Sequence, residues 1–314
     1  MDYSSLQDDG LIVVERIGSR LDDPRSLARD VARGLLVKLR RGVYVPQEIW
    51  AATEPRAQHV LRARAVLSSA RRPIALAGLS AAAVWGIPIG GSWPTEVTVL
   101  DEWQGGGRTE PGVRRTAAGF RTARIVELGG LRVTDLTRSA IDVARRTHFA
   151  DAVGSVDWAL WRKNGRRVSK QMLTDDIYNL DKSLGRRLLE RVVAFSTDLS
   201  DSYGESECRA VIHLLGFDAP ELQVEFRDEQ GAMYPDFFWR SVRAAAEFDG
   251  KAKYTNNEYT AGDPGEVVWR EKRREDRLRR QLSGMTRILT SDVSHPDRLV
   301  RLLEDMGIPR GRRS

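Results

Sequence analysis

The feature that most constrains the fold is a short run near the C-terminus in which an apolar stretch passes into alternating charges. The alanines Ala244–Ala246 precede three charged residues, Glu247, Asp249 and Lys251. Side chains alternate between the two faces of a strand, so these three charges share one face. Charges beside an apolar run are costly to bury unless a metal ion or one another compensates them. The run therefore predicts a strand, from about residue 242 to Lys251, that carries a charged site.

The preceding segments predict a helix and two further strands. A helix begins after Ser202, because an apolar stripe at helical spacing follows this capping residue, and Glu205 lies beside the stripe. Leu222–Phe226 alternates as a strand, and after a turn Met233–Trp239 forms a second strand that contains Asp236. Asp236 can therefore reach the charged face of the next strand.

The residue types at this site indicate metal-assisted chemistry on phosphodiesters. Asp236, Glu247 and Asp249 offer hard carboxylate oxygens, which are the ligands that Mg²⁺ or Mn²⁺ prefers. Such ions polarise a phosphate and acidify a water, and Lys251 would orient that water or offset developing charge. Two alternatives stay open. One is a surface hairpin with solvated charges, and the other is a fold of this kind that has lost catalysis.

The order of these residues resembles that of the PD-(D/E)-x-K nuclease superfamily. The motif is Pro235-Asp236, then Glu247-Phe248-Asp249-Gly250-Lys251, after a helix that carries Glu205. More narrowly, with the later segments Glu271–Leu278 and Thr286–Leu289, the region resembles very-short-patch-repair endonucleases.

This resemblance implies roles for the acidic residues. Glu205 would bind or support the metal, Asp236 would be the principal ligand, and Glu247 or Asp249 would be the second acidic ligand. Acids at both 247 and 249 leave the assignment of that second ligand open. The narrower group commonly has a histidine after the Asp-Gly pair, where this chain has lysines at 251 and 253.

The first fifty residues predict a helix followed by a basic hairpin. Arg25–Arg33 is helical, and two β-prone runs, Leu35–Leu39 and Val43–Val45, flank Arg40 and Arg41. This segment resembles the winged helix-turn-helix of AbiEi-type antitoxins, which implies DNA and a cognate toxin as partners. By analogy the helix, with Arg25 and Arg29, would enter the major groove, while Arg40 and Arg41 would touch the backbone or the minor groove. The alternative is a small helical cap that binds nothing.

The middle region, about residues 51–197, mixes helices and strands. Ala57–Ala70 is helical, Ser80 is predicted to cap a short helix at Ala81–Trp85, and Glu96–Leu100 alternates as a strand. Two more helices are predicted, one starting near residue 134 and one at 151–161. In the first, three polar residues could form a site, but the favoured interpretation is that they cap and pin helices: Asp135, Arg138 and Asp142. The stretch also resembles the region that follows the winged helix in AbiEi-like proteins.

Charge and composition narrow the class of protein. The net charge of +6 and pI near 9.6 suit a polyanionic partner, although a basic composition alone gives the same values. Seven basic residues stand against three acids between Arg270 and Arg280. Arg273, Arg274 and Arg277 within this block are candidate phosphate contacts. The single cysteine, Cys208, excludes a disulfide framework, and no apolar run is long enough to cross a membrane, so we expect a cytoplasmic protein.

Together these patterns predict an α+β protein of three parts. Residues 1–50 would be a winged helix, 51–198 a mixed α/β domain, and 199–314 a restriction-endonuclease-like α/β domain. The preferred function is a Mg²⁺-dependent DNA endonuclease, or nuclease-like effector, of a defence or toxin–antitoxin system. The alternative is a non-catalytic DNA-binding regulator or antitoxin with a degenerate nuclease fold.

Overall fold

The computed structural model describes residues 11–13, 24–70, 72–102, 110–161, 165, 168–180, 185–250 and 264–311. The chain divides into two compact units, Met1–Arg146 with Val168–Glu190, and Thr147–Arg167 with Arg191–Ser314. Both units mix helices with sheets, which confirms the α+β prediction at that level. The predicted boundaries at residues 50 and 198 do not coincide with the limits of these units. The second unit takes up a helix at Phe149–Leu160, because that helix packs on another at Tyr203–Leu214.

The first unit opens with a small antiparallel sheet in the order β1-β3-β2. Its elements are β1 (Ile12–Val13), α1 (Pro24–Ala32), β2 (Leu36–Arg40), β3 (Val43–Pro46), α2 (Gln47–Ala52) and α3 (Pro55–Ser68). The predicted helix and hairpin are confirmed. Gly42 stands at the hairpin tip with a φ of 80°, a left-handed conformation that glycine adopts without strain. Val43 and Val45 pack on Leu61 of α3.

A five-stranded mixed sheet, in the order β6-β5-β4-β8-β7, forms the rest of the first unit. Its elements are β4 (Ala75–Leu76), α4 (Gly78–Trp85), β5 (Val97–Leu100), β6 (Val113–Thr116), β7 (Ile125–Leu128), β8 (Leu131–Thr134) and α5 (Leu136–Ala144). The chain then leaves for α6 (Phe149–Leu160) of the second unit and returns as α7 (Lys170–Asn179).

The prediction that Ser80 caps a helix is wrong. The helix begins two residues earlier, and Ser80 lies inside it with its hydroxyl buried. That hydroxyl accepts a hydrogen bond from the Thr98 amide at 2.9 Å and lies 2.8 Å from Nε2 of His59. Ser80 therefore fastens α4 to β5 and α3, which is a tertiary role that a local capping pattern does not reveal.

The second unit is built around a three-stranded sheet in the order β11-β12-β13. Its remaining elements are α8 (Arg186–Phe195, which contains the boundary between the units), α9 (Tyr203–Leu214), β9 (Phe226–Asp228), β10 (Gly231–Met233), β11 (Phe237–Trp239), β12 (Ala244–Asp249), α10 (Pro264–Arg279), β13 (Gly284–Leu289), α11 (Thr290–Val293) and α12 (Pro296–Asp305). β12 runs antiparallel to β11 and parallel to β13, and α10 connects the parallel pair. β9 and β10 form a separate hairpin.

The two faces of this sheet bury different helices. Ala244, Ala246 and Phe248 share a core with apolar residues of α9 and α12. Ala245 faces the other way, into a cluster that contains Leu278 of α10. Strand alternation places Glu247 and Asp249 on this second face, the face of α10.

Two predicted strands of this unit need correction. Leu222–Phe226 is not a strand, because Gln223 adopts a φ of 53° that breaks the extended run, and β9 begins only at Phe226. The predicted strand Met233–Trp239 is divided into β10 and β11 by Tyr234-Pro235-Asp236, where proline lacks the amide that a ladder requires. Lys251 lies outside the described residues. No helix in the described part of the chain is long and apolar enough to cross a membrane.

Candidate acidic site of the second unit

Glu205 stands in the first turn of α9, where it and the N-cap residue Ser202 form hydrogen bonds with each other. The Ser202 hydroxyl accepts from the Glu205 amide at 3.2 Å and donates to Oε1 of Glu205 at 2.8 Å, while the Asp201 amide donates to Oε2 at 2.9 Å. The side chain is thereby folded onto its own helix start and buried. Burial, followed by the nearby charge of Asp236, raises the pKa of Glu205 to about 7.

Asp236 immediately precedes β11 and is held against β12. Phe237 pairs with Ala246, so Asp236 stands level with Glu247 one step beyond the ladder. Its Oδ2 accepts a hydrogen bond from the Phe248 amide at 2.7 Å. The predicted neighbourhood of Asp236 and the charged end of β12 is therefore present at the level of the backbone.

Glu247 lies on β12 with only 13% of its side chain exposed. Its Oε1 accepts from Nη2 of Arg274 at 2.9 Å, and Arg274 also pairs with Glu271 at 2.6 Å. Burial and the charge of Asp236 raise the pKa of Glu247, and the lowering effect of Arg274 does not cancel them. Burial and the negative charge of Asp236 thus disfavour the charged form of Glu247 more than its ion pair with Arg274 favours it.

Asp249 lies on the same strand face as Glu247, and it pairs with an arginine of β13. Nη1 of Arg287 lies 3.3 Å from Oδ2 of Asp249, and the same guanidinium pairs with Glu275 at 2.8 Å. The charge of Asp236 contributes to the raised pKa of both Glu205 and Glu247. These three carboxylates therefore influence one another, and Asp249 lies on the strand face of Glu247.

The donor chemistry of this grouping fits a hard divalent cation. The groups are carboxylates, and the raised pKa of Glu205 and of Glu247 shows that the charged forms lack full compensation, which a cation would supply. Within the described ranges, which break between residues 250 and 264, no set of three His, Cys, Asp or Glu side chains is arranged to hold a metal ion.

Two of the three arginines predicted on α10 to bind phosphate are engaged inside the protein. Arg274 holds Glu247, and Arg277 pairs with Asp228 of the β9–β10 hairpin and donates to the Gly231 carbonyl. Arg273 is exposed, and its guanidinium lies over the ring of Trp269. The sequence offered no local signal for the pairing of Arg274 with Glu247, because the two residues meet only when α10 packs on the sheet.

The four arginines predicted at the N-terminus differ in environment. Arg25 and Arg29 are exposed on α1, and Arg41 is exposed at the hairpin tip. Arg40 instead pairs with Glu110, and burial followed by the charge of Arg115 lowers the pKa of Arg40. The sequence predicted equal roles for Arg40 and Arg41, whereas only the second presents an exposed side chain.

The polar residues of α5 follow the structural interpretation. Asp135 caps the helix by accepting from the Arg138 amide at 2.9 Å, and it pairs with Arg124. Arg138 and Asp142 form a buried ion pair inside the first unit. These contacts confirm that the three residues cap and pin the helix.

Comparison with known proteins gives little further constraint. No protein-family model and no curated protein matches the chain. Among solved structures, the chain is similar to the Rv2827c protein of Mycobacterium tuberculosis at 19% identity. That similarity covers 56% of this chain and 71% of the mycobacterial chain, with a TM-score of 0.32. A similarity of this size identifies neither a fold nor a function.

Proposed function

We propose that the second unit is a Mg²⁺- or Mn²⁺-dependent DNA endonuclease of the PD-(D/E)-x-K type. The observation that carries the proposal is that Asp236 stands level with Glu247 beyond the β11–β12 ladder, and that its charge adds to the raised pKa of both Glu205 and Glu247. Burying carboxylates together is unfavourable, and proteins accept this cost most often where function requires it. Asp249 stands next to the group on the same strand face.

The chain topology supports the same proposal. A helix carrying an acid, a set of antiparallel strands, a crossover helix and a final parallel strand follow one another from α9 to β13. The candidate acids lie on α9, just before β11, and on β12, which is the order that the nuclease resemblance implies. The small sheet order β1-β3-β2, with Arg41 at its tip, supports a winged helix that would deliver DNA.

Each acidic residue has a role in this proposal. Asp236, Glu247 and Asp249 would hold the ion, and the bound ion would polarise the scissile phosphate and acidify a water. Glu205, with a pKa of about 7, exchanges a proton readily near neutrality and would accept or return one at its carboxylate. Lys251 keeps its predicted role of orienting the water.

A second function is favoured by a specific observation. Arg274 neutralises Glu247 and Arg287 neutralises Asp249 within the protein itself. A non-catalytic regulator or antitoxin, with a cognate toxin as partner, would need no metal if these pairs persist. Such a protein would bind DNA through the hairpin and α1 and would cleave nothing.

Cleavage assays with and without metal separate these two functions. The full-length protein is incubated with plasmid and single-stranded DNA in Mg²⁺, Mn²⁺ or EDTA. Asp236→Asn keeps an oxygen for the Phe248 amide while removing the anionic ligand, so we expect cleavage to fall at least about a hundredfold while DNA binding remains. The matched control is Asp228→Asn in the same unit, which disrupts an ion pair with Arg277 and should cleave normally. Wild-type protein that binds DNA but cleaves nothing with any divalent metal would favour the regulator.

A further inference from the structure

An exposed aromatic ring stands on α10, one to two turns before Arg274, the arginine that pairs with Glu247. Trp269 keeps 61% of its surface exposed, which is large for a bulky aromatic side chain. The guanidinium of Arg273 lies 4.7 Å from the centre of the ring. Arg274 follows Trp269 by five positions, which is about 7.5 Å along the helix axis at 1.5 Å per residue. The two side chains point to different sides of α10, because five positions correspond to about 500° of helical rotation.

Cationic side chains stand near this ring. Lys272 and Arg273 are exposed on the same helix, and so are the acids Glu271 and Asp276. Arg273 also reaches Gln230 of the β9–β10 hairpin, at 3.5 Å. An aromatic ring flanked by a guanidinium and further positive charge is the combination that holds nucleic-acid strands by base stacking and phosphate attraction.

We propose that Trp269 and Arg273 form a stacking platform for an unpaired base, so that this surface of α10 binds single-stranded or locally unpaired nucleic acid. This inference rests on the proposed function and specifies its substrate class. In a duplex the faces of each base are covered by its neighbours, so a base must be unstacked and unpaired before its face can stack on the ring. The platform therefore favours unpaired strands without reading their sequence.

The first unit supplies a matched control for an exposed ring. Tyr178 of α7 is 60% exposed, and the guanidinium of Arg186 lies 4.8 Å from its ring centre. It has the same exposure and the same kind of cation contact as Trp269, but it lies in the unit without the acidic site. Loss of Tyr178 measures what removal of any exposed aromatic ring does to binding.

The test is fluorescence anisotropy with full-length protein that carries Asp236→Asn, so that cleavage does not disturb binding. The probes are a labelled single strand of about twelve nucleotides, the same strand made of abasic residues, and the matching duplex. We expect Trp269→Ala to weaken single-strand binding about tenfold, which is about 1.4 kcal/mol. Binding of the abasic strand and of the duplex should change less than about twofold, Trp269→Phe should retain most of the affinity, and Tyr178→Ala should have no effect.

Several results would overturn the platform. Unchanged single-strand affinity, equal losses on all three probes, or the same loss in Tyr178→Ala would each do so. A change in molar mass by light scattering in Trp269→Ala would assign the ring to a protein–protein interface instead. Failure of the proposed function is distinguishable: base-dependent loss in a wild-type protein that cleaves nothing leaves the platform standing and removes the hydrolysis.

Discussion

The two units each contain a cluster of carboxylates, and the clusters differ in what surrounds the acids. In the first unit, Arg124 pairs with Asp135, while Arg138 and Arg145 both pair with Asp142. In the second unit, Glu247 pairs with Arg274, while both carboxylate oxygens of Glu205 accept hydrogen bonds at the start of α9.

A raised pKa does not distinguish these clusters. Asp176 of the first unit has a pKa raised to about 6, mainly by burial and by Asp135, and Glu205 of the second unit reaches about 7. The composition of the neighbours does distinguish them. In the first unit arginines pair with the acids that pin α5, whereas in the second unit the charge of Asp236 raises the pKa of both Glu205 and Glu247.

The largest expected effect is on the stability of the first unit, where Arg138 and Asp142 form a buried ion pair. Arg138 is almost fully buried, pairs with Asp142 and donates to the Ala118 carbonyl at 2.6 Å. Arg138→Ala leaves the carboxylate of Asp142 with one fewer partner, and we expect a loss of about 3 kcal/mol or more in unfolding free energy. Urea titration followed by hydrogen exchange in α5 measures this loss. Arg124→Ala, which breaks an exposed pair, should cost less than about 1 kcal/mol. Equal losses would show that the cluster does not pin the helix through its buried pair.

The raised pKa of Glu205 predicts that the stability of the fold decreases as the pH rises. The folded pKa of Glu205 is raised from 4.5 to about 7, so the folded protein binds the proton more tightly than the unfolded chain does. Its contribution to stability is therefore present below about pH 4.5 and is lost as the pH rises to about 7, amounting to about 3 kcal/mol. Glu205→Gln should remove this slope in urea titrations across the range. An unchanged slope would show that Glu205 is not the group responsible.

Divalent metal should act on one cluster and not on the other. At a Mg²⁺ concentration ten times the dissociation constant, wild-type protein should gain about 1.4 kcal/mol of stability at pH 7.5. The gain should disappear in Asp236→Asn and persist in Asp176→Asn. Thermal unfolding with and without EDTA measures the difference. A gain that survives Asp236→Asn would place the ion elsewhere.

The smallest expected effect concerns the two arginines of the hairpin. Arg40 is paired with Glu110, whereas Arg41 is exposed, so Arg41→Ala should weaken duplex DNA binding two- to fivefold and Arg40→Ala less. Salt titrations of affinity should show a shallower slope only for Arg41→Ala. If Arg40→Ala has the larger effect, then the Glu110 pair opens when DNA binds.

Local signals allowed much of this fold to be predicted. Capping at Ser202, the helix that ends before Gly34 and the alternation into Asp249 each depend on a few adjacent residues, and each is present. Alternation wrongly predicted a strand at Leu222–Phe226. Gln223 adopts a left-handed backbone conformation there, which the alternating sequence does not reveal.

The partners of the site residues could not be predicted. Arg274 and Arg287 reach Glu247 and Asp249 only through the packing of α10 and the register of β13, and the sequence assigned Arg274 to phosphate instead. The contact of α6 with α9 has the same origin, since the two helices meet across a segment that belongs to the first unit. Contacts between residues that are far apart in the sequence form only on tertiary packing, so local patterns do not predict them.

The interleaving of the two units determines the order in which they can fold during synthesis. α6 leaves the ribosome before α9, yet Asp157 of α6 holds the buried guanidinium of Arg209 on α9 at 2.9 Å. Asp157 and Arg209 are 52 positions apart, which is several seconds of translation at about 5–20 residues per second. During that time α6 exposes an apolar face without its partner. A fragment that starts at residue 199 would lack α6 permanently, and Arg209 would be buried without its counterion.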